Sequence, residues 1–251
     1  MTTATMTTQI EEKIRKGVKS AYLDTIRFNK ELDSDIKPEY LVTVNIAQNI
    51  AEINDEKNPD EYPLRIKLEE RALKFLNACK VYVPATTFEE LFTLNYWEEL
   101  ASDILPKSKQ RVDIAIYDNT EKPLTLIEVK KFTQYPKTLN KDIKRNLNFL
   151  GHFKQKLYQS ELKTSYLVFL YNDKVSVTET EISAKVTELK KFYEDFISEK
   201  KIDSAIKSTV DVYSITNSLL TKTDLKLPMD IQQYNFEQRH HYLCVLLKFE
   251  R

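Results

Sequence analysis

Two apolar runs joined by a short polar stretch constrain this chain more than any other feature in it. Arg111 to Tyr117 carries Val112, Ile114 and Ile116 at alternate positions, and Leu124 to Phe132 carries apolar residues in a period-two pattern. The segment between them, Asp118 to Pro123, is polar and contains Asn119 and Pro123, as a hairpin connection should. The runs therefore read as adjacent antiparallel strands. Each also carries charge that a buried strand has no local use for. Asp113 projects with Ala115 and Tyr117 from the face opposite Val112, Ile114 and Ile116. In the second run Leu124, Leu126, Glu128 and Lys130 share one face, and Thr125, Ile127, Val129 and Lys131 share the other. Two leucines followed by a carboxylate and an amine on one face describe a core that opens into a pocket at one end. Neighbouring strands lie about 5 Å apart, so Asp113 and Glu128 on a shared face can reach one ion.

The setting matters more than the tripeptide, because Glu-x-Lys also begins at Glu11, Glu161, Glu188 and Glu199 in a chain that is 30% charged. Those other pairs lie in helix-like or terminal stretches, where charges belong on a wet face. On a strand, two carboxylates and a lysine are the minimum needed to hold a divalent cation against a phosphodiester. Attack by water on a phosphodiester builds negative charge on the phosphoryl oxygens, which a cation neutralises while lowering the pKa of a bound water. Magnesium takes oxygen ligands and keeps several waters, so one or two carboxylates and a backbone carbonyl suffice. A neighbouring lysine can orient the water or stabilise the developing charge. Histidine is dispensable in this chemistry, and the chain has only His152, His240 and His241.

Asp113, followed on the next strand by Glu128-Val129-Lys130, resembles the PD-(D/E)XK, or restriction-endonuclease-like, nuclease superfamily. Val112 stands where the proline of that pattern would be. The resemblance implies that Asp113, Glu128 and the Val129 carbonyl hold Mg²⁺ or Mn²⁺, that Lys130 assists the water, and that the substrate is DNA. It further implies an α/β fold with a central mixed sheet flanked by helices and a core in the order helix, three strands, helix, strand. Pro38-Glu39 followed by Leu41, Val44, Ala47, Ile50 and Ala51 reads as the first helix. Pro63 to Glu69 alternates as the first strand, Leu139 to Leu157 has a helical apolar stripe, and Ser165 to Tyr171 is a buried strand. Relatives of this kind often place a further acid on the first core helix. Glu39 is the candidate, with Glu52 and Glu69 as its competitors, although an acid in a first helical turn is also favoured by the macrodipole alone.

Lys141, Lys144 and Arg145 crowd the polar side of the helix after the hairpin and are candidates for phosphate contacts, as a solvated helix face is the alternative. Tyr135 and Lys137 precede them and could flank the same cleft. His240 and His241 point to opposite faces of a strand and cannot easily share an ion. Trp97 reads as a core anchor.

The remaining chain divides into a helix from Gln9 to about Glu31 with a linker to Lys37, a nuclease-like domain over 38–251 with its core at about 38–171, and a C-terminal elaboration over 172–251. Thr178 and Glu181 form a capping box for a helix with Ile182, Val186, Leu189, Tyr193, Phe196 and Ile197 on one stripe. Val210 to Ile215 and His241 to Phe249 read as strands that extend the sheet, whereas 217–238 gives no clear pattern. The N-terminal helix could pack on the core, pair two copies or move freely.

Glycine occurs only at Gly17 and Gly151, which excludes glycine-rich phosphate loops. Lys+Arg 38 against Asp+Glu 38 gives no overall basic field, so a nuclease must concentrate positive charge locally. Cys79 and Cys244 are too few for a disulfide framework or zinc site. With no secretory pattern and no long apolar span, a cytoplasmic protein is expected. A homodimer suits duplex cleavage. The alternative to a nuclease is a non-catalytic module, binding nucleic acid or assembling with protein on the same scaffold.

Overall fold

The structure, a computed structural model, describes residues 3–29, 39–55, 64–82, 110–130, 136–151, 158–173, 178–200, 202–215 and 241–251. Trp97, Tyr135, His152, His240, the linker to Lys37 and the segment 217–238 lie outside them, as do the side chains of Lys137 and His241. In chain order the elements are α1 (Thr3–Asn29), α2 (Glu39–Asp55), β1 (Arg65–Arg71), α3 (Ala72–Cys79), β2 (Lys80–Tyr82), β3 (Arg111–Tyr117), β4 (Pro123–Lys130), α4 (Pro136–Phe149), β5 (Tyr158–Ser160), β6 (Thr164–Asp173), α5 (Glu179–Ser198), β7 (Lys207–Ser214) and β8 (His241–Glu250).

Six strands form one mixed sheet in the order β1-β3-β4-β6-β8-β7, and β2 pairs with β5 separately. Among the described strands only β4 and β6 run parallel, with α4 between them in the chain. The expected α/β class and mixed sheet are therefore present, with β7 and β8 extending it. The centre of the sheet is covered on both faces. On one face α1 and α2 bury Ile10, Ile14, Val18, Ile46 and Ile50 against Ile114, Ile116, Ile127, Val129 and Val168. On the other, α3, α4 and α5 bury Phe75, Leu139, Ile143, Leu189 and Tyr193 against Ala115, Leu126, Leu167 and Phe169. Burial on both sides explains why β6 reads as a continuous apolar run.

Of the roles open to the N-terminal helix, the structure shows the first, packing on the core. It also begins earlier than Gln9, and its described residues run from Thr3 to Asn29. Gly17 lets it approach α2 closely, since a Cβ there would collide with the Ile46 backbone. The helix expected from Leu139 to Leu157 stops at Phe149, and Gly151 turns the chain with φ 110. Phe153 and Leu157 lie beyond it, outside the described residues. The first strand begins and ends two residues later than expected. The helix α3 and the small β2–β5 sheet were not expected from the sequence.

Candidate metal and phosphodiester site

The hairpin that carries the site is fixed at its turn. Asp118 Oδ1 accepts from the Thr120 and Lys122 N–H groups at 2.8 and 2.9 Å, and its own N–H donates to the Lys122 carbonyl at 2.9 Å. Partial burial works against this carboxylate's charge, but the hydrogen bonds from Thr120 and Lys122 outweigh it and lower its pKa. From the turn the strands pair through Ile116↔Thr125, Ala115↔Leu126 and Ile114↔Ile127.

Beyond Ile114 the two strands fork, and the site lies in the fork. The Val129 N–H donates to Asp113 Oδ2 at 2.7 Å, so the aspartate side chain stands where a backbone carbonyl would continue the ladder. The neighbouring strand is irregular at the same level. Glu69 has φ 52, and the β1–β3 register goes from Leu68↔Ile114 to Glu70↔Val112 unshifted, passing over both Glu69 and Asp113. Alternation consequently breaks at Asp113. Val112 packs with Ala115 and Tyr117 and not, as the period-two pattern predicts, with Ile114 and Ile116. A second irregularity at Ile116/Tyr117 puts Leu124 against the Ile127 layer, away from Leu126. From Leu126 to Val129 the expected faces hold.

The structure brings together five of the residues singled out from sequence, Asp113, Glu128, Lys130, Glu39 and Arg145. Lys130 Nζ lies 3.4 Å from Asp113 Oδ2 and 3.2 Å from Glu128 Oε2. Glu39, the first residue of α2, reaches the same ammonium at 3.6 Å. Glu52 pairs with Lys13 at 2.8 Å, and Glu69 is exposed on β1. The candidate phosphate cluster divides. Lys141 and Lys144 are exposed, whereas Arg145 turns inward to pair with Glu128 Oε2 and with Asp142 at 3.5 Å. The inward turn of Arg145, and Asp142 itself, were missed from sequence. The only available signal was their i,i+3 spacing on α4.

Charge in the fork is poorly compensated. Burial of Glu128, followed by the nearby Asp113, pushes its carboxyl up to about 8 against the pull of Arg145 and Lys130. Burial also opposes the charge on Lys130, but Glu128, Asp113, Glu39 and Asp142 together raise its pKa. Among the described residues, Glu128 Oε1 and Arg145 Nε are buried without a hydrogen-bond partner. A buried acceptor of this kind is costly unless something satisfies it.

These residues fit a hard divalent cation. Oε1 of Glu128 is an unused buried oxygen ligand two strand positions from Lys130 and beside Asp113. Among the described residues no group of three or more His, Cys, Asp or Glu side chains is placed to hold a metal by itself. A cation here would thus take Asp113 and Glu128, with waters and a backbone carbonyl such as that of Val129 completing its shell, which is the habit of magnesium. Cys79 and Cys244 are free and buried, and burial pushes both thiols up, so neither belongs to the site. Among the described residues no helix is long and apolar enough to cross a membrane.

No family model, no curated protein and no solved structure matches the chain.

Proposed function

We propose that the protein is a metal-dependent nuclease that hydrolyses phosphodiester bonds of DNA in the fork between β3 and β4. The observation that carries this reading is the unpartnered, buried Glu128 Oε1, which lies beside Asp113 and Lys130 where the strands separate. Bound Mg²⁺ or Mn²⁺ supplies the charge neutralisation and the acidified water that the reaction needs. Asp113 and Glu128 hold that ion, and the bond from the Val129 N–H fixes the Asp113 carboxylate against the backbone. Lys130 is kept charged by the acids around it, so it acts as a hydrogen-bond donor to the phosphoryl oxygens or the attacking water and not as a base. Glu39 holds Lys130 from the α2 side. Lys141 and Lys144, exposed on α4, are available for backbone phosphates.

The test is incubation of the purified protein with labelled duplex DNA, single-stranded DNA and RNA in Mg²⁺, Mn²⁺ or EDTA. Cleavage of DNA in either metal but not in EDTA is expected. Asp113→Ala, Glu128→Ala and Lys130→Ala should each reduce it by at least a hundredfold, on the order of a lost electrostatic contact to the reacting group. Retained cleavage by any two of these variants at saturating metal would defeat the assignment.

One observation favours a second reading. Arg145 already pairs with Glu128 without any metal, as it would in a non-catalytic module that binds nucleic acid or protein on this scaffold. Such a module binds without turnover, and its melting temperature does not respond to Mg²⁺.

A further inference from the structure

A cleft of about 590 Å³ opens beside the fork, lined by Lys67, Leu68, Glu69, Glu70, Arg71, Lys74 and Arg111. We infer that it holds the sugar-phosphate backbone of the DNA strand flanking the bond to be cut, an inference that rests on the nuclease reading.

Position is the first support. Arg111 precedes Asp113 by two residues on β3, so their Cα atoms lie about 7 Å apart. A strand lying in the fork therefore meets the cleft at the next step along β3. Charge is the second. Four basic side chains face two acids, and one of those acids is already engaged. Glu70 lies between Lys67 at 3.8 Å and Lys74 at 3.6 Å, with only 9% of its side chain exposed. Arg71 and Arg111 are direct partners across β1 and β3. Like charges placed opposite one another on a sheet repel, and among the described residues neither arginine is in an ion pair. Arg111 donates to the Glu69 carbonyl at 2.8 Å, which anchors one arm of its guanidinium at the irregular turn of β1. An anion in the cleft would relieve the repulsion, and a planar guanidinium suits a phosphate.

This placement also answers the composition. The chain has no net charge, so its affinity for a polyanion must come from a local concentration of cations. Lys67 is held over the Tyr117 ring at 4.4 Å, which limits the side-chain freedom lost on binding. Contacts of this kind position the backbone and carry no sequence information.

The experiment measures binding of a fluorescein-labelled DNA duplex by anisotropy in EDTA, where no turnover occurs, across a series of salt concentrations. The wild type is compared with Arg71→Glu/Lys74→Glu, and with Lys190→Glu/Lys191→Glu on α5 as a control of equal charge change. The cleft pair is expected to lose on the order of tenfold or more in affinity, equally on two unrelated sequences, and its salt slope should flatten by roughly 2, about 0.9 for each phosphate contact removed. The control should change far less. If the cleft pair and the control behave alike in affinity and slope, the inference is overturned. Should the double charge reversal melt early, Lys67→Gln/Lys74→Gln makes the same comparison, with a slope change in the same sense expected and its absence equally fatal. The two claims fail separately. DNA cleavage with an unaffected cleft pair removes only this site, whereas loss of binding in the cleft pair with no cleavage in any metal removes only the nuclease. A wild type that neither binds DNA nor cleaves it in any metal removes both.

Discussion

Glu128 is where the fold and the proposed chemistry oppose each other most directly. Its folded-state pKa, raised to about 8 by burial and by Asp113, lies above the carboxyl's unfolded value of about 4.3. The stability it contributes is therefore fully present below the unfolded value and is lost as pH rises towards about 8. In EDTA, urea midpoints should fall over that interval more steeply for the wild type than for Glu128→Gln. Identical pH slopes for the two proteins would show that this carboxyl is ordinary. Arg145 modulates the same group. Its guanidinium competes with any cation for Glu128 Oε2, so Arg145→Gln should tighten Mg²⁺ binding, by about fivefold or more if the coupling is of ordinary size. The same change should lower stability in EDTA by about 1–3 kcal/mol, the cost of leaving a buried acceptor short of a donor. Calorimetric titration reads the first effect and urea unfolding the second. A variant that binds Mg²⁺ more weakly would place Arg145 in support of the metal site and not in competition with it.

Among the elements, the α1–α2 crossing and the start of α5 have the clearest local causes. Gly17 lies against the Ile46 backbone, which is not a flexible side chain that can withdraw. Gly17→Ala should therefore cost about 1–3 kcal/mol as an overpacked contact, although alanine is intrinsically the better helix former. Thermal unfolding checks it, and an unchanged or higher midpoint would mean that the helices separate freely. At α5 the Thr178 hydroxyl accepts from the Glu181 N–H at 3.2 Å while the Glu181 carboxylate accepts from the Thr178 N–H at 2.9 Å. This element was legible in advance because its signal is local: a cap, an acid three residues on, and a 3.6-residue stripe whose Ile182, Leu189, Tyr193 and Ile197 are buried. The hairpin was legible for the same reason, through period two. What could not be read was whatever depended on a neighbouring strand or helix. Asp113 bonding to the Val129 N–H requires the fork, and the break in alternation at Val112 follows from it. Arg145 looks like its exposed neighbours Lys141 and Lys144 until α4 is packed on the sheet. The short β2 and β5, three residues each, are too brief to show a period.

At the scale of the whole molecule, the site is reached from both covering layers. Lys130 is reached by Glu39 from the α2 layer, and Glu128 by Arg145 from the α4 layer, while β3 and β4 supply Asp113 and Glu128 from the sheet between them. A ligand that binds there is therefore linked to the folding of three layers and not to one loop. Any ion that binds the folded chain and not the unfolded one stabilises it by RT ln(1 + [L]/Kd), which is about 2.7 kcal/mol at a hundredfold excess over Kd. Mg²⁺ should accordingly raise the melting temperature of the wild type by several degrees in a concentration-dependent way. The shift should be larger at pH 8 than at pH 6, because the ion must displace the proton that burial retains on Glu128. Asp113→Ala and Glu128→Ala should abolish the shift, and Lys74→Glu, outside the fork, should keep it. Differential scanning calorimetry in matched ionic strength separates this linkage from general screening by salt. A melting temperature indifferent to Mg²⁺ at both pH values would leave the fork without a cation, and the proposed chemistry with it.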